Sequence, residues 1–394
     1  LRDLDTRLDK ILSGLGAEGR LRGLKSLEPS GPARMTIGNR RVLNFSGNDY
    51  LGLSRHPALK RKAMRWTETF GAGSGASRLV TGNLGIFDRV ERKVAALKGT
   101  EDALILASGF QANVSLLPAL IAGGLFSGEP LVFCDRLNHA SMHQGLRAAG
   151  ARQIRFRHND LDHLEELLKA RANRKGPRFI VTESVFGMDG DRADVAAVSA
   201  IAERHDAFLY LDEAHATGVL GPGGAGLGLE ATPGADLVMG TFSKALGGFG
   251  AYAACSAKLK SYLVNKTSGF VYTTAPPPGT LGAMDAALDL LPSLDKERDH
   301  VLSLAELART RFEKAGLETG ASSTQIVPVI VGGETETLTL AKALEEDGIL
   351  AIAIRPPTVP KGKSRIRLAF SSDHSQADVK RLCDRLIHRA REKP

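Results

Sequence analysis

The chain has 394 residues, 43% of them hydrophobic, a formal net charge of +8 and three cysteines. That hydrophobic share supplies a full core and excludes global disorder, and the length suits two domains. The dispersed Cys134, Cys255 and Cys383 exclude a disulfide framework or a cysteine-built zinc site, and fit a reducing cytoplasm.

In chain order, Leu4, Leu8, Ile11, Leu12 and Leu15 recur at helical spacing and predict an amphipathic helix. The charged residues among them, from Arg2 to Lys10, do not read as a secretory signal. Arg41 to Phe45 predicts a strand. From residue 46 to 275, short apolar segments alternate with helical ones, the pattern of a mostly parallel α/β sheet. The predicted strands are centred on Ala103–Leu106, Leu131–Cys134, Phe179–Val181, Phe208–Leu211 and Leu237–Met239. The longest apolar stretch, Leu116 to Phe126, is too short to cross a bilayer and contains Pro118. Pro276-Pro277-Pro278 marks a boundary, after which helices and strands at Ile326–Ile330 and Arg365–Phe370 predict a smaller α+β domain. The expected division is an N-terminal helix and strand segment at 1–45, a large domain at 46–275 and a small domain at 276–394.

The basic charge is not matched by a nucleic-acid-binding motif, and aromatic residues are only 5% of the chain, too few for stacking platforms. Lys60-Arg61-Lys62 and the Lys361/Lys363 pair are candidate cations for a polyanionic small substrate, although each also reads as a solvated face. Two glycine clusters, Gly71–Gly75 and Gly221–Gly226, lack the strand, helix and later acidic residue of a dinucleotide site.

Two strand-end motifs carry chemistry. Phe208-Leu209-Tyr210-Leu211-Asp212-Glu213-Ala214-His215 delivers a carboxylate and an imidazole where an open α/β sheet presents its ligand crevice. Thr241-Phe242-Ser243-Lys244-Ala245-Leu246-Gly247-Gly248 puts a lysine among small hydroxyl residues and glycines behind an apolar strand. Such an amine can condense with an aldehyde cofactor, and Asp212 can neutralise a cofactor cation. No second His, Cys or Asp cluster supports a metal.

With these motifs the chain resembles the fold-type I pyridoxal-phosphate enzymes, the aspartate aminotransferase-like α/β fold, and within them the α-oxoamine synthases. The resemblance also rests on Asn44-Phe45-Ser46-Gly47-Asn48-Asp49-Tyr50-Leu51-Gly52-Leu53, Ser108-Gly109-Phe110-Gln111-Ala112-Asn113, Glu183-Ser184-Val185-Phe186-Gly187-Met188-Asp189-Gly190 and Arg355-Pro356-Pro357-Thr358-Val359-Pro360. The last of these is most similar to the biotin-pathway branch. The resemblance implies pyridoxal 5′-phosphate as cofactor and decarboxylating condensation of a small amino acid with an acyl-CoA: L-alanine and pimeloyl-CoA in that branch. It also implies a cytoplasmic homodimer with shared active sites and no role for nucleic acid or membrane.

Residue by residue, the resemblance makes Lys244 the covalent anchor and base, Asp212 the partner of the ring nitrogen, and His215 the partner of the phenolic oxygen. His139 would stack over the ring and Glu183 would lie in the pocket. Phosphate would fall to Ser108, Gly109, Phe110, Thr241 and Ser243, with Thr273 and Thr274 contributed by a neighbouring subunit. Arg367 would take the amino-acid carboxylate, with Asn48, Ser77 and Arg355 as further substrate contacts. Gly187 stands where many relatives have serine, and Phe87 where several have histidine. The acyl chain stays open: glycine with acetyl-CoA or succinyl-CoA, serine with a long acyl-CoA, and a medium-chain signal synthase share the mechanism. A non-catalytic partner subunit is disfavoured by the retained Lys244, Asp212, His139 and His215.

Overall fold

The computed structural model describes residues 3–392, which divide into two units. One comprises residues up to 48, 188–191 and 299 onward; the other comprises 49–187 and 192–298. This differs from the expected division. The N-terminal segment is no separate piece, and the boundary near 276 moves to 298/299.

The smaller unit opens with the predicted helix, Leu4–Ala17, whose Leu4, Leu8, Ile11 and Leu12 are exposed within this single chain. Strands β1 (Glu28–Gly31), β2 (Arg34–Ile37) and β3 (Arg40–Asn44) form an antiparallel meander.

The larger unit holds a seven-stranded sheet. Its strands are β4 (Asp102–Leu106), β5 (Leu131–Asp135), β6 (Gln153–Phe156), β7 (Arg178–Glu183), β8 (Ala207–Asp212), β9 (Leu237–Thr241) and β10 (Ala251–Cys255). They are ordered β4-β10-β9-β8-β7-β5-β6, parallel except for β10. The five predicted strands are all present; β6 and β10 complete the sheet. Both faces are covered, because residues alternate along each strand. Val132, Cys134, Phe179, Val181 and Tyr210 pack on the side of helix Gly109–Ala122. Phe133, Ile180 and Leu209 pack on the side of Leu161–Lys169 and Val195–Arg204.

Pro278 does break the strand–helix alternation, but it starts helix Pro278–Leu290, which packs on helix Pro57–Phe70 within this same unit. Their approach is tight enough that a Cβ at Gly282 would lie 2.6 Å from the Lys62 carbonyl oxygen. That contact is why the expected boundary fails.

The chain returns to the smaller unit through β11 (Ile326–Gly332), β12 (Ile349–Leu350), β13 (Ile352–Ile354) and β14 (Ser364–Ala369). β12 joins β3 in parallel, and β11-β14-β13 form an antiparallel sheet. Phe45 stacks on His374, centroids 4.1 Å apart, which ties the N-terminal strand to the C-terminal segment. Residues 188–191 belong here through an Arg365–Asp189 ion pair and the Thr324 hydroxyl, which donates to the Gly190 carbonyl at 2.8 Å. Among the described residues no helix is long and apolar enough to cross a membrane.

Candidate active site

Three neighbouring strand ends build one cavity. The register pairs Glu183 with Asp212 and Asp212 with Met239, so β7 and β8 end side by side and β9 runs on beyond them to Thr241. The cavity measures about 190 Å³ and is lined by Ser108, Gly109, Phe110, Asn113, His139, Ser141, Glu183, Asp212, Ala214, His215, Met239, Thr241, Ser243 and Lys244. Grooves of about 790 and 830 Å³ lie elsewhere, but this small cavity gathers the convergent titratable groups that distinguish a reaction site.

Lys244 follows β9 in a turn closed by Gly247 N–H to the Lys244 carbonyl at 2.9 Å and Gly248 N–H to the Phe242 carbonyl at 2.7 Å. Gly247 has φ +62°, and a Cβ there would lie 2.3 Å from Ser54 N. Glycine alone satisfies both demands.

Asp212 is 4% exposed. Its Oδ1 accepts from Ala214 N–H and its Oδ2 from Asn113 Nδ2, each at 2.9 Å. Asn113 is itself fixed, since the Tyr210 hydroxyl donates to its Oδ1 at 2.6 Å.

His139 caps helix Ala140–Ala148, and its Nδ1 lies 2.7 Å from Ser141 Oγ. Burial lowers its pKa below the ordinary imidazole value; the Asp212 charge opposes this and Lys244 reinforces it. Its backbone N–H donates to Glu183 Oε1 at 2.5 Å. Burial, and then the charge of Asp212, hold the Glu183 carboxyl well above the usual carboxylate range.

Ser108 caps helix Gly109–Ala122, where free N–H groups favour an anion. The hydroxyl of Thr241, 4% exposed, has no hydrogen-bond partner among the described residues. A buried hydroxyl without a partner is costly; on the cavity that Ser108 and Gly109 also line, it fits a phosphate.

Other expected site residues lie outside this cavity. Arg367 on β14 donates from Nη2 to Asn48 Oδ1 at 3.1 Å, so the smaller unit brings two substrate candidates together. Arg355 hydrogen-bonds the Gly19 carbonyl; burial and the nearby Arg22 lower its pKa, with Glu334 opposing. Ser77 precedes the short π-helical turn Arg78–Gly82. Thr273 and exposed Thr274 follow helix Ser268–Val271 and form no strand. Phe87 is fully buried, with the Arg78 guanidinium 4.1 Å over its ring, so this departure has a packing role.

Sequence reasoning gave Asn113 no role, although a buried-face amide in the apolar helix Gly109–Ala122 was a usable signal. It also left Glu213 without a role. Lys98 Nζ reaches Glu213 Oε2 at 2.5 Å and Thr217 Oγ1 at 2.9 Å, and Glu213 Oε1 accepts the N–H groups of Leu227 and Gly228. Burial pulls the Lys98 pKa down, but Glu213 and Tyr252 together outweigh it and the net shift is upward. Lys98→Met would strand a buried carboxylate directly after Asp212. We expect a loss of about 3–5 kcal/mol in stability, read as a lowered urea midpoint; a change under about 1 kcal/mol would show the pair to be dispensable.

The fold and this cavity define a fold-type I transferase, and the chain belongs to the aminotransferase class I and II family, whose family model matches residues 40–386. Pyridoxal 5′-phosphate is the cofactor of this class, and Thr241, Ser108 and Asp212 fit it. Within the family the chain belongs to the α-oxoamine synthases, and the curated relatives it resembles carry the name 8-amino-7-oxononanoate synthase. It is 59% identical to the 8-amino-7-oxononanoate synthase of Gluconacetobacter diazotrophicus over 373 residues, 94% of each chain. It is 57% identical to a putative 8-amino-7-oxononanoate synthase of Paramagnetospirillum magneticum over 382 residues, 97% of each. Among solved structures, a serine palmitoyltransferase from S. paucimobilis superposes with TM-score 0.89 at 24% identity, covering 98% of this chain and 96% of that one. That likeness shows the fold.

Proposed function

We propose that the chain condenses L-alanine with pimeloyl-CoA, releasing coenzyme A and carbon dioxide and forming the aminoketone used in biotin biosynthesis. The observation that carries the chemistry is the meeting of Lys244, Asp212, His139 and His215 on one cavity. The names of relatives above 50% identity support the pathway branch.

Bound pyridoxal phosphate supplies an aldehyde for amines and a ring that takes up the electron pair left at a substrate Cα. The chain's residues do the rest. Lys244 Nζ would anchor the cofactor and would carry the proton taken from the substrate Cα. Asp212, its carboxylate held on both oxygens, keeps a proton on the ring nitrogen. His139, kept neutral by burial, would lie against the cofactor ring and would serve proton transfer. His215 holds the phenolic oxygen. Ser108, Gly109, Phe110, Thr241 and Ser243 hold the phosphate, joined by Thr273 and Thr274 of a second copy in a homodimer. Arg367, oriented by Asn48, grips the amino-acid carboxylate through its paired N–H groups. Ser77 and Arg355 contribute further substrate contacts.

The test is coenzyme A release across a matrix of alanine, glycine and serine against acetyl-, succinyl-, pimeloyl- and palmitoyl-CoA. The highest kcat/KM is expected for alanine with pimeloyl-CoA. A maximum with serine and palmitoyl-CoA, or glycine and acetyl-CoA, would overturn the substrate assignment while leaving the reaction class standing.

A further inference from the structure

The glycine at 187 and the imidazole of His215 exclude any side chain between them. A Cβ built on Gly187 would lie 2.2 Å from His215 Nε2, 2.8 Å from Cδ2 and 2.9 Å from Cε1. Real Cβ atoms do not come so close, so the leading edge of the ring occupies the volume a side chain would take. The backbone does not demand glycine: Gly187 is absent from the positive-φ glycines, so its φ suits any residue. Space alone requires it.

The opposite edge of the ring is held. The Tyr50 hydroxyl lies 2.7 Å from His215 Nδ1, with ring centroids 6.2 Å apart and planes at 45°. Tyr50 is 1% exposed and His215 7%. A buried phenol needs a hydrogen-bond partner. Phenol O–H is a stronger acid than a neutral imidazole N–H, so the better-matched bond has the phenol donating and Nδ1 accepting. The ring proton then sits on Nε2, the edge above Gly187.

We propose that Tyr50 is a positioning residue for His215, and that Gly187 admits the pose by leaving its side-chain volume to the imidazole. The phenol sets the tautomer, and the glycine lets the Nε2–H edge advance. This deepens the reading of His215 as a cofactor contact and rests on it. It also gives the departure at position 187 a consequence: orientation that a hydroxyl at 187 would influence is here assigned to the phenol on the far side of the ring.

The test uses two variants that act independently. Tyr50→Phe removes the hydroxyl and keeps the ring; Gly187→Ala adds only the excluded Cβ. Cofactor-free enzyme labelled with ¹⁵N-histidine is examined by long-range ¹H–¹⁵N spectra, with His215→Asn identifying the signal among ten histidines. Wild type is expected to show the Nε2-protonated pattern. Tyr50→Phe is expected to convert it to a mixture, and Gly187→Ala to move both ring nitrogens. The dissociation constant for pyridoxal phosphate is expected to rise about tenfold in each, the effect of one lost or misdirected hydrogen bond. A His215 signal protonated on Nδ1 in wild type, or unmoved by both substitutions, overturns the proposal. Shifted His215 signals with unchanged cofactor affinity in all three variants uphold the positioning and overturn the cofactor contact.

Discussion

Lys244→Ala is expected to abolish borohydride-trapped cofactor and reduce turnover by about 10³-fold or more. Two roles fall together in this substitution, because the same amine anchors the cofactor and carries the substrate proton. Lys244 is half-buried on the cavity, in a turn closed by the backbone hydrogen bonds from Gly247 and Gly248. Truncating the side chain leaves Gly247 and Gly248 in place, so the fold should survive with a melting temperature within a few degrees of wild type. Trapping followed by peptide mass analysis reads the anchor directly. In wild type the mass increment should fall on the peptide containing Lys244. An increment elsewhere, or trapping that persists in Lys244→Ala, would remove the central residue of the proposed mechanism.

Much of this site could be read in the chain because its parts lie at strand ends, where motif and position coincide. Asp212 and Lys244 follow uninterrupted apolar runs, and such runs mark strands buried on both faces. Their side-by-side arrival was less legible. It depends on β7, β8 and β9 being neighbours, a matter of sheet order that local patterning does not encode. β10 escaped prediction because Ala251-Tyr252-Ala253-Ala254-Cys255 is rich in alanine, which carries little strand preference; its place between β4 and β9 comes from tertiary pairing. The boundary at Pro276 misled for a related reason. Consecutive prolines interrupt a pattern, yet Pro278 is well placed in the first turn of a helix. The partners that act from a distance were the least visible. Tyr50 and His215 are 165 residues apart, and Lys98 and Glu213 are 115 apart. Nothing in either local segment announces the other.

Asp212→Asn is the sharper test, because it changes charge while nearly preserving shape. The aspartate accepts two hydrogen bonds, from Ala214 N–H on Oδ1 and from Asn113 Nδ2 on Oδ2. An asparagine can satisfy only one with its carbonyl oxygen, and its NH₂ then faces a donor. Flipping Asn113 would not repair this, since its Oδ1 accepts from Tyr210 and its Nδ2 also donates to Ser141 Oγ at 3.0 Å. A stability loss of about 1–3 kcal/mol should therefore accompany the substitution. The functional loss should be larger, about 10²–10³-fold in kcat, because the fixed negative charge that would hold the ring-nitrogen proton has gone. Two neighbours report the same charge. Asp212 raises the pKa of both Glu183 and His139, so in the variant Glu183 should ionise at lower pH and His139 should lose its proton at lower pH. Lys244 is untouched, so covalent trapping should persist. That combination of retained anchor, slow turnover and both neighbouring titrations moved downward separates a lost charge from a collapsed site. Turnover within about threefold of wild type, with trapping intact, would mean that Asp212 does not hold the ring-nitrogen proton.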